Sequence, residues 1–187
     1  MRIIAAAYNH RGLERASGVP IVFFKTHKPD FVYSEDLSII KLPDNINFAW
    51  PEVEVAMLID KRRDRIAKII GWSVANDVTA DYGADCHYLF GKSIDGFCKI
   101  LYPFSTSVLP HAKMITFVNG KMTQNGNLNE MLLSPKELVE TIDSRVELET
   151  GDVVLSGTPF HEKHKLHVDD YVKVYVEGLG IIESRVK

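Results

Sequence analysis

Two glutamates in an otherwise apolar segment have the type and spacing that could bind a metal ion. Glu52 and Glu54 lie between Trp50 and Ile59, where nearly all other residues are apolar. In a strand, side chains alternate between faces, so the two carboxylates would lie on one side, roughly 7 Å apart along the chain. Two bare charges in a buried strand are strongly destabilising, and a hard divalent cation would compensate them. Alternatively, this end of the strand emerges into water.

A third carboxylate follows a second apolar run. Asp77 comes after Asn76 at the end of residues 71–75, which have the composition of a strand. Three carboxylates form an all-oxygen site that suits Mg²⁺ or Mn²⁺ and leaves positions for water and substrate. Asp77 could instead cap a turn.

Two further segments place polar groups beside turns. Lys92 lies between Gly91 and Ser93, where its ammonium could approach a bound anion and stabilise a developing oxyanion or enolate. Thr158 lies in the Ser-Gly-Thr-Pro segment at residues 156–159, whose hydroxyls and backbone amides could hold a substrate carboxylate. Each segment has an ordinary alternative, a surface lysine in the first and a structural turn in the second.

A histidine tract superficially resembles a zinc site. His161, His164 and His167 follow a His-x-x-His-x-x-His spacing. Lys163 and Lys165 lie between them and would repel a cation, so the sequence argues against zinc.

The elements that must position these residues are mostly strands. Hydrophobic patterns and turn residues predict strands over residues 21–24, 52–59, 113–118, 121–124, 153–155, 171–176 and 181–182. The Asn-Gly pairs at residues 119–120 and 125–126 are hairpin signals.

Helices are fewer. Ser134, Pro135 and Glu137 form a capping box with proline at the first helical position, which predicts a helix to about residue 145. A short helix is predicted over residues 65–70. The sequence therefore predicts an α+β, mostly β fold with a few short helices, in one domain over residues 1–187.

Composition narrows the class of protein. Of the 187 residues, 45% are hydrophobic and 25% charged, and the formal net charge is −3. This balance is typical of a globular protein and argues against a nucleic-acid partner. No apolar run approaches the ~20 residues that cross a bilayer, so we expect no membrane partner. Cys86 and Cys98 lack metal-type spacing, so we expect reduced thiols and a cytoplasmic location.

Taken in order along the chain, these segments resemble the fumarylacetoacetate hydrolase family. The matching residues are Tyr8, Glu14, Phe23-Phe24-Lys25, Glu52-Val53-Glu54, Asn76-Asp77-Val78, Gly91-Lys92-Ser93, Val118-Asn119-Gly120, Gln124, Gly151-Asp152-Val153 and Gly157-Thr158-Pro159. Each motif is weak alone, and it is their joint order over most of the chain that carries the resemblance.

The resemblance implies a compact mixed β-roll or sandwich, often a homodimer, that acts on a small-molecule 2-oxo acid. It implies that Mg²⁺ or Mn²⁺ binds to Glu52, Glu54 and Asp77. Lys92 would stabilise the oxyanion or enolate, and Thr158 would help to hold the substrate carboxylate. Lys25 would lie near the same pocket, or could be a solvated lysine at a strand end.

The family pattern breaks near the start of the chain. Hydrolytic members carry Asn-Tyr-x-x-His-x-x-Glu, whose histidine and glutamate activate water. Glu14 matches, but Arg11 stands at the histidine position and His10 comes one residue early. Arginine stays protonated and cannot act as a general base. His10 could take that role if the segment shifts, or it could be an ordinary loop histidine, and Arg11 could supply positive charge to the substrate.

Two more departures concern the substrate. Asp81 stands where the family has a substrate-holding arginine, which removes a bidentate carboxylate clamp. After Pro159 the family's Gly-Val-Gly is replaced by Phe-His-Glu at residues 160–162, so we expect a differently shaped pocket there.

The sequence thus favours a metal-dependent enzyme that acts on a 2-oxo acid or an acylpyruvate-like 1,3-dicarbonyl, with carbon–carbon bond hydrolysis as the leading reaction. Its expected catalytic residues are Lys92, Glu14 and His10, and its expected substrate-binding residues are Thr158, Arg11 and Lys25. Decarboxylation or keto–enol isomerisation is the alternative, since neither needs the missing histidine. The alternative from another class is a catalytically degenerate metal-binding or structural subunit.

Overall fold

The structure of the protein is a computed structural model that describes residues 1–13, 20–26, 28–62, 66–83 and 90–187. Glu14, Arg65 and Cys86 lie outside these residues, so the roles expected of them are not addressed by the structure. Strands dominate the described part of the chain, as the sequence predicts.

The first layer is a seven-stranded sheet. Its strands lie in the order β2, β1, β12, β6, β7, β9, β3. Their bounds are Ile21–Lys25 (β2), Ile3–Ala7 (β1), Val153–Leu155 (β12), Val53–Asp60 (β6), Lys68–Asp77 (β7), Cys98–Leu101 (β9) and Asp30–Val32 (β3). The β1–β12 and β3–β9 pairs are parallel and the other pairs antiparallel.

The second layer is a five-stranded sheet in the order β11, β10, β13, β14, β4. Its strands are Lys121–Asn127 (β11), Lys113–Val118 (β10), Tyr171–Val176 (β13), Gly180–Val186 (β14) and Leu37–Ile40 (β4). A separate antiparallel pair joins β5 (Phe48–Trp50) to β8 (Thr79–Asp81).

The main core lies between the two large sheets. From β6, Val53, Val55 and Met57 are fully buried in the same cluster as Val172 and Val174 of β13. The opposite face of β6 is also covered, since Ala56 belongs to a second buried cluster. A strand buried on both faces is the environment that makes bare carboxylates unfavourable.

One α-helix is present among the described residues, α1 (Pro135–Asp143), together with a short 3₁₀-helix (Leu128–Glu130). Ser134 caps α1 and forms the predicted capping box with Glu137. The buried face of α1 is made by Leu138, Val139 and Ile142. No helix of the described chain is long and apolar enough to cross a membrane.

Two local predictions are wrong. Residues 68–70 belong to β7 rather than to a helix, because Ile69 pairs with Ile59 and Lys68 pairs with Asp60 across the sheet. The Asn-Gly pair at 125–126 lies inside β11 and makes no turn. Gly126 is there for a packing reason, since a Cβ would lie 2.4 Å from Cβ of Pro159.

Candidate functional site

Three buried carboxylates meet where β6 begins and β7 ends. Glu52 directly precedes β6, Glu54 lies within it, and Asp77 is the last residue of β7. The antiparallel pairing of β6 with β7 brings them together, and the Asp77 backbone N–H donates to the Glu52 carbonyl at 2.9 Å. One oxygen from each carboxylate lies within 4.8 Å of the others. The predicted trio therefore lies where it could hold one ion.

Two buried ammonium groups face these carboxylates. Lys92 Nζ lies 2.5 Å from Glu52 Oε2 and 2.8 Å from Asp77 Oδ2. Lys25 Nζ forms an ion pair with Asp77 Oδ1, and its side chain is 0% exposed, so it is not a solvated strand-end lysine. With every group ionised, the three carboxylates and two ammonium groups carry a formal net charge of −1.

Burial and charge set the ionisation of this cluster. Burial raises the pKa of Glu54 well above its ordinary value, and the negative charge of Asp77 raises it further. Burial opposes ionisation of Asp77 as well, but Lys25 and Lys92 outweigh it and hold its pKa below the ordinary value. Burial alone would lower the pKa of Lys92, yet Asp77 and Glu52 raise it, so this side chain stays an ammonium. Glu54 is the carboxylate whose charge is least compensated.

Glycines allow the close approaches at this site. A Cβ on Gly91 would lie 2.2 Å from the Ala80 carbonyl oxygen, so only glycine lets the turn before Lys92 pack this tightly. Gly157 has φ +82° and sits against Ala6, where a Cβ would be 2.7 Å from the carbonyl oxygen. Its backbone N–H donates to Glu54 Oε2 at 2.8 Å.

Thr158 is held in place by an amide from the other sheet. Its hydroxyl donates to the Val53 carbonyl at 2.9 Å and accepts from Gln124 Nε2 at 2.6 Å. Gln124 Oε1 in turn accepts from the Val53 N–H at 3.1 Å and from Thr116 Oγ1 at 2.8 Å. The threonine is therefore fixed beside the carboxylates.

A cavity of about 160 Å³ opens onto the carboxylates. Of the residues that the sequence singled out, it is lined by Glu52, Glu54, Lys92 and Thr158. Tyr8, which belongs to the family resemblance, also lines it. The other lining residues were given no role from the sequence, and they are Ala6, Ala7, Leu13, Trp50, Thr79, His161 and Lys163. Because an engineered cavity of about 150 Å³ holds one benzene molecule, this one suits a small acid.

Trp50 links the carboxylates to the outer wall of the cavity. Its indole Nε1–H donates to Glu52 Oε1 at 2.6 Å, and Lys163 Nζ lies 4.3 Å from the centre of its ring. Trp50 lies two residues before Glu52 in the sequence, and this proximity is the only feature of the sequence that could have indicated its role.

His161 lines the cavity and has a buried ring nitrogen near Glu52. Its side chain is 8% exposed, and Nε2 is 3.7 Å from Glu52 Oε1, without a hydrogen-bond partner among the described residues. Nδ1 lies 3.1 Å from the Pro159 carbonyl. Gln124 Nε2 is also near Nδ1, but its two hydrogens point at Thr158 and Pro159. We therefore assign the proton of the neutral ring to Nδ1, which leaves Nε2 as a buried acceptor close to Glu52, in a residue that lines the cavity.

The remaining expected residues lie elsewhere or outside the described chain. His10 is fully buried, pairs with Met131 and does not line the cavity as the described residues define it. Arg11 is exposed, and its backbone N–H donates to the Glu130 carbonyl at 2.9 Å. Glu14 is not among the described residues. The roles proposed for these three stay predictions.

Comparison with known proteins gives one matching family. The sequence model described as "Fumarylacetoacetate (FAA) hydrolase C-terminal" matches residues 2–187. A mitochondrial oxaloacetate tautomerase of Bos taurus is 30% identical over 209 residues, which cover 99% of this chain and 66% of that protein. An oxaloacetate tautomerase of Bacillus subtilis is 29% identical over 153 residues, which cover 72% of this chain and 51% of that protein. The chain thus spans between half and two thirds of these relatives.

Solved structures agree on the fold. A 5-carboxymethyl-2-hydroxymuconate delta-isomerase of Mycobacterium smegmatis has a TM-score of 0.84 and 26% identity, over 99% of this chain and 76% of that one. A fumarylpyruvate hydrolase of Pseudomonas aeruginosa, in complex with Mn²⁺ and pyruvate, has a TM-score of 0.87 and 20% identity, over 100% of this chain and 89% of that one. At that identity, the second likeness concerns the fold alone.

Proposed function

Since the chain belongs to the fumarylacetoacetate hydrolase family, we propose that it is a divalent-metal-dependent tautomerase that interconverts the keto and enol forms of a small 2-oxo acid. Relatives named as oxaloacetate tautomerases support this reaction. The observation that carries it is a cavity lined by Glu52, Glu54, the protonated Lys92 and His161, with the third carboxylate, Asp77, 2.8 Å behind the Lys92 ammonium.

The carboxylate cluster fits the proposed ion. Glu52, Glu54 and Asp77 offer the hard oxygen donors that Mg²⁺ and Mn²⁺ prefer. With every group ionised, the cluster keeps a formal charge of −1 after both lysines are counted, and a bound cation would favour the ionised form of Glu54. When bound there, the ion would polarise a substrate carbonyl and ease loss of a proton from the neighbouring carbon.

The chain's own residues would bind and orient the acid. Thr158 lines the cavity and is proposed to hold the substrate carboxylate by turning its hydroxyl hydrogen from the Val53 carbonyl to the ligand, while Gln124 keeps the hydroxyl oxygen in place. Lys92 remains an ammonium and is proposed to stabilise negative charge on the carbonyl oxygen as it develops. Lys25 is a positioning residue, because it contacts Asp77 rather than the cavity.

Proton transfer requires a base that faces the substrate. His161 Nε2 is proposed to accept the proton from the carbon next to the carbonyl. The C–H electron pair then forms the carbon–carbon double bond, and the carbonyl pair moves to oxygen. Return of the proton to that oxygen completes the enol, and the reverse sequence regenerates the ketone.

Carbon–carbon hydrolysis has less support than tautomerisation. Hydrolytic members of the family activate water with a histidine near the start of the chain, yet Arg11 stands at that position here and His10 does not line the cavity formed by the described residues. Proton transfer within a 2-oxo acid needs no water.

The expected homodimer, cytoplasmic location and single domain over residues 1–187 stay predictions, as does the degenerate-subunit alternative.

The test follows the ultraviolet absorbance of the enol form of oxaloacetate with Mg²⁺, Mn²⁺ or EDTA. We expect metal-dependent acceleration of the keto–enol equilibration, abolished in Glu54→Gln and retained in the control Glu162→Gln, which alters an exposed carboxylate of the same region. Release of CO₂ from oxaloacetate, or of pyruvate from an acylpyruvate, would identify decarboxylation or hydrolysis instead. A folded, Mn²⁺-binding protein with none of these activities would support the degenerate subunit and refute the proposal.

A further inference from the structure

Among the described residues that line the cavity, one cation forms no ion pair with the carboxylates. Lys92 lines the cavity but pairs with Glu52 and Asp77, and Lys25 pairs with Asp77 from behind it. Lys163 also lines the cavity, is exposed, and makes no ion pair with any residue that the structure describes. Its positive charge is therefore available to a ligand.

The position of Lys163 is fixed by Trp50. The ammonium lies over the face of the indole, 4.3 Å from its centre, where the ring's negative potential attracts it. The edge of the same indole donates to Glu52 at 2.6 Å. One side chain therefore contacts both the carboxylate cluster and the free cation, and places Lys163 on the outer wall beside the cluster.

A buried, unpaired hydroxyl also belongs to the wall of this cavity. Thr79 pairs with Trp50 across the β5–β8 ladder and lines the same cavity. Thr79 is 1% exposed, and its hydroxyl has no hydrogen-bond partner within the described residues. A buried hydroxyl without a partner loses free energy, so it is suited to bind a polar group of a ligand.

We propose that Lys163 binds the second carboxylate of a dicarboxylate substrate, and so determines a preference for 2-oxo diacids over 2-oxo monoacids. This rests on the proposed function, in which the first carboxylate is held near Thr158. Asp81 stands at the family's arginine position and carries no positive charge. Lys163, in the segment after Pro159, supplies a cation instead. A charge-assisted contact of this kind changes affinity about 10-fold or more.

The chain offers a matched control. Lys165 lies 4.5 Å from the ring centre of Phe48, the neighbour of Trp50 in the aromatic pair, so it makes the same type of contact. It is not among the described residues that line the cavity. Lys163→Ala and Lys165→Ala therefore remove the same charge and the same kind of contact, at positions that differ in access to the ligand.

The experiment measures binding separately from turnover. Calorimetry on the Mn²⁺-loaded protein compares malate, a stable 2-hydroxy diacid, with 2-hydroxybutanoate, in which a methyl group replaces the distal carboxylate. We expect Lys163→Ala to weaken malate binding about 10-fold or more, with little change for 2-hydroxybutanoate. Lys163→Arg should retain the preference, Lys165→Ala should match the wild type, and the Mn²⁺ affinity of all three variants should be unchanged.

The outcomes separate the two proposals. Four results would each overturn the role of Lys163. In Lys163→Ala, the affinity for both ligands falls equally, or the affinity for malate does not fall. Alternatively, Lys165→Ala loses as much affinity for malate, or the wild type binds neither ligand. Selective loss of malate binding in a protein that does not tautomerise oxaloacetate would support the Lys163 subsite and refute only the reaction. For an active enzyme, Lys163→Ala should raise KM for oxaloacetate much more than KM for its 4-methyl ester.

Discussion

Replacement of His10 by leucine tests whether a buried imidazole makes the protein sensitive to acid. His10 is 0% exposed, and burial lowers its pKa from 6.5 to about 4. The folded state therefore keeps the ring neutral while the unfolded state takes up a proton below pH 6.5. Stability contributed by the neutral ring is complete above that pH and is lost as the pH falls toward 4.

The magnitude follows from the two pKa values. A difference between 6.5 and about 4 corresponds to about 3.4 kcal/mol in all, at about 1.4 kcal/mol per pH unit. Between pH 7 and pH 5, the free energy of unfolding of the wild type should fall by about 2 kcal/mol more than that of His10→Leu. Leucine is similar in size and does not titrate.

The assay is urea denaturation followed by circular dichroism at pH 7, 6 and 5, with EDTA present so that bound metal does not contribute. Met131→Leu is the control, because it alters the buried residue paired with His10 without removing a titratable group. Its difference from the wild type should be the same at every pH. If the difference in free energy of unfolding between His10→Leu and the wild type is also the same at every pH, within about 0.5 kcal/mol, the reasoning is refuted. Turnover measured on the same variant tests the catalytic role that the sequence suggested for His10.

Three further perturbations have defined outcomes. Asp152 is 1% exposed and accepts hydrogen bonds from the Arg2 backbone and guanidinium. Asp152→Asn should therefore lower the free energy of unfolding at pH 7 by about 1.5–3 kcal/mol, and a loss below about 0.5 kcal/mol in urea denaturation would contradict this. Gly91→Ala would place its Cβ 2.2 Å from a backbone oxygen, and should cost about 1–3 kcal/mol of stability and weaken Mn²⁺ binding. The control Gly120→Asn has open space at its Cβ but a φ of +77°, which asparagine tolerates better than most residues, so it should cost at most about 1 kcal/mol and leave Mn²⁺ binding unchanged. Burial raises the pKa of Cys98 to about 12. In a Cys86→Ser variant, a thiol reagent should therefore label the protein only after it unfolds. Rapid labelling of the folded variant would contradict this.

Much of the site was accessible from the sequence because its elements are local. Two patterns of about ten residues each locate the carboxylates. The alternation along residues 52–59 places Glu52 and Glu54, and the apolar run before Asp77 places the third carboxylate at a strand end. The helix that begins at Pro135 was predicted for the same reason, since its capping box is a local signal.

The rest depends on contacts between distant segments. Residues 68–70 have a helical composition, but pairing with β6 makes them a strand. His161 looked like part of a charged tract, and its approach to Glu52 depends on β11, through Gln124, and on the turn after Leu155. Trp50 and Lys163 are 113 positions apart in the numbering yet in contact, and no spacing rule in the sequence connects them.

The place of β12 in the large sheet has a consequence for how the chain folds. β12 lies between β1 and β6, although about 90 residues separate it from β6 in the sequence. Until it docks, β1–β2 and β6–β7–β9 are separate hairpin-like pieces with unpaired edges, which predicts slow folding and a vulnerable intermediate. The segment after β12 also brings the Gly157 amide to Glu54. Pairing of β6 with β7 already brings the three carboxylates together, and closure of the sheet adds the contact that orients Glu54. A metal ion that binds this oriented cluster more tightly should therefore favour the closed sheet during refolding.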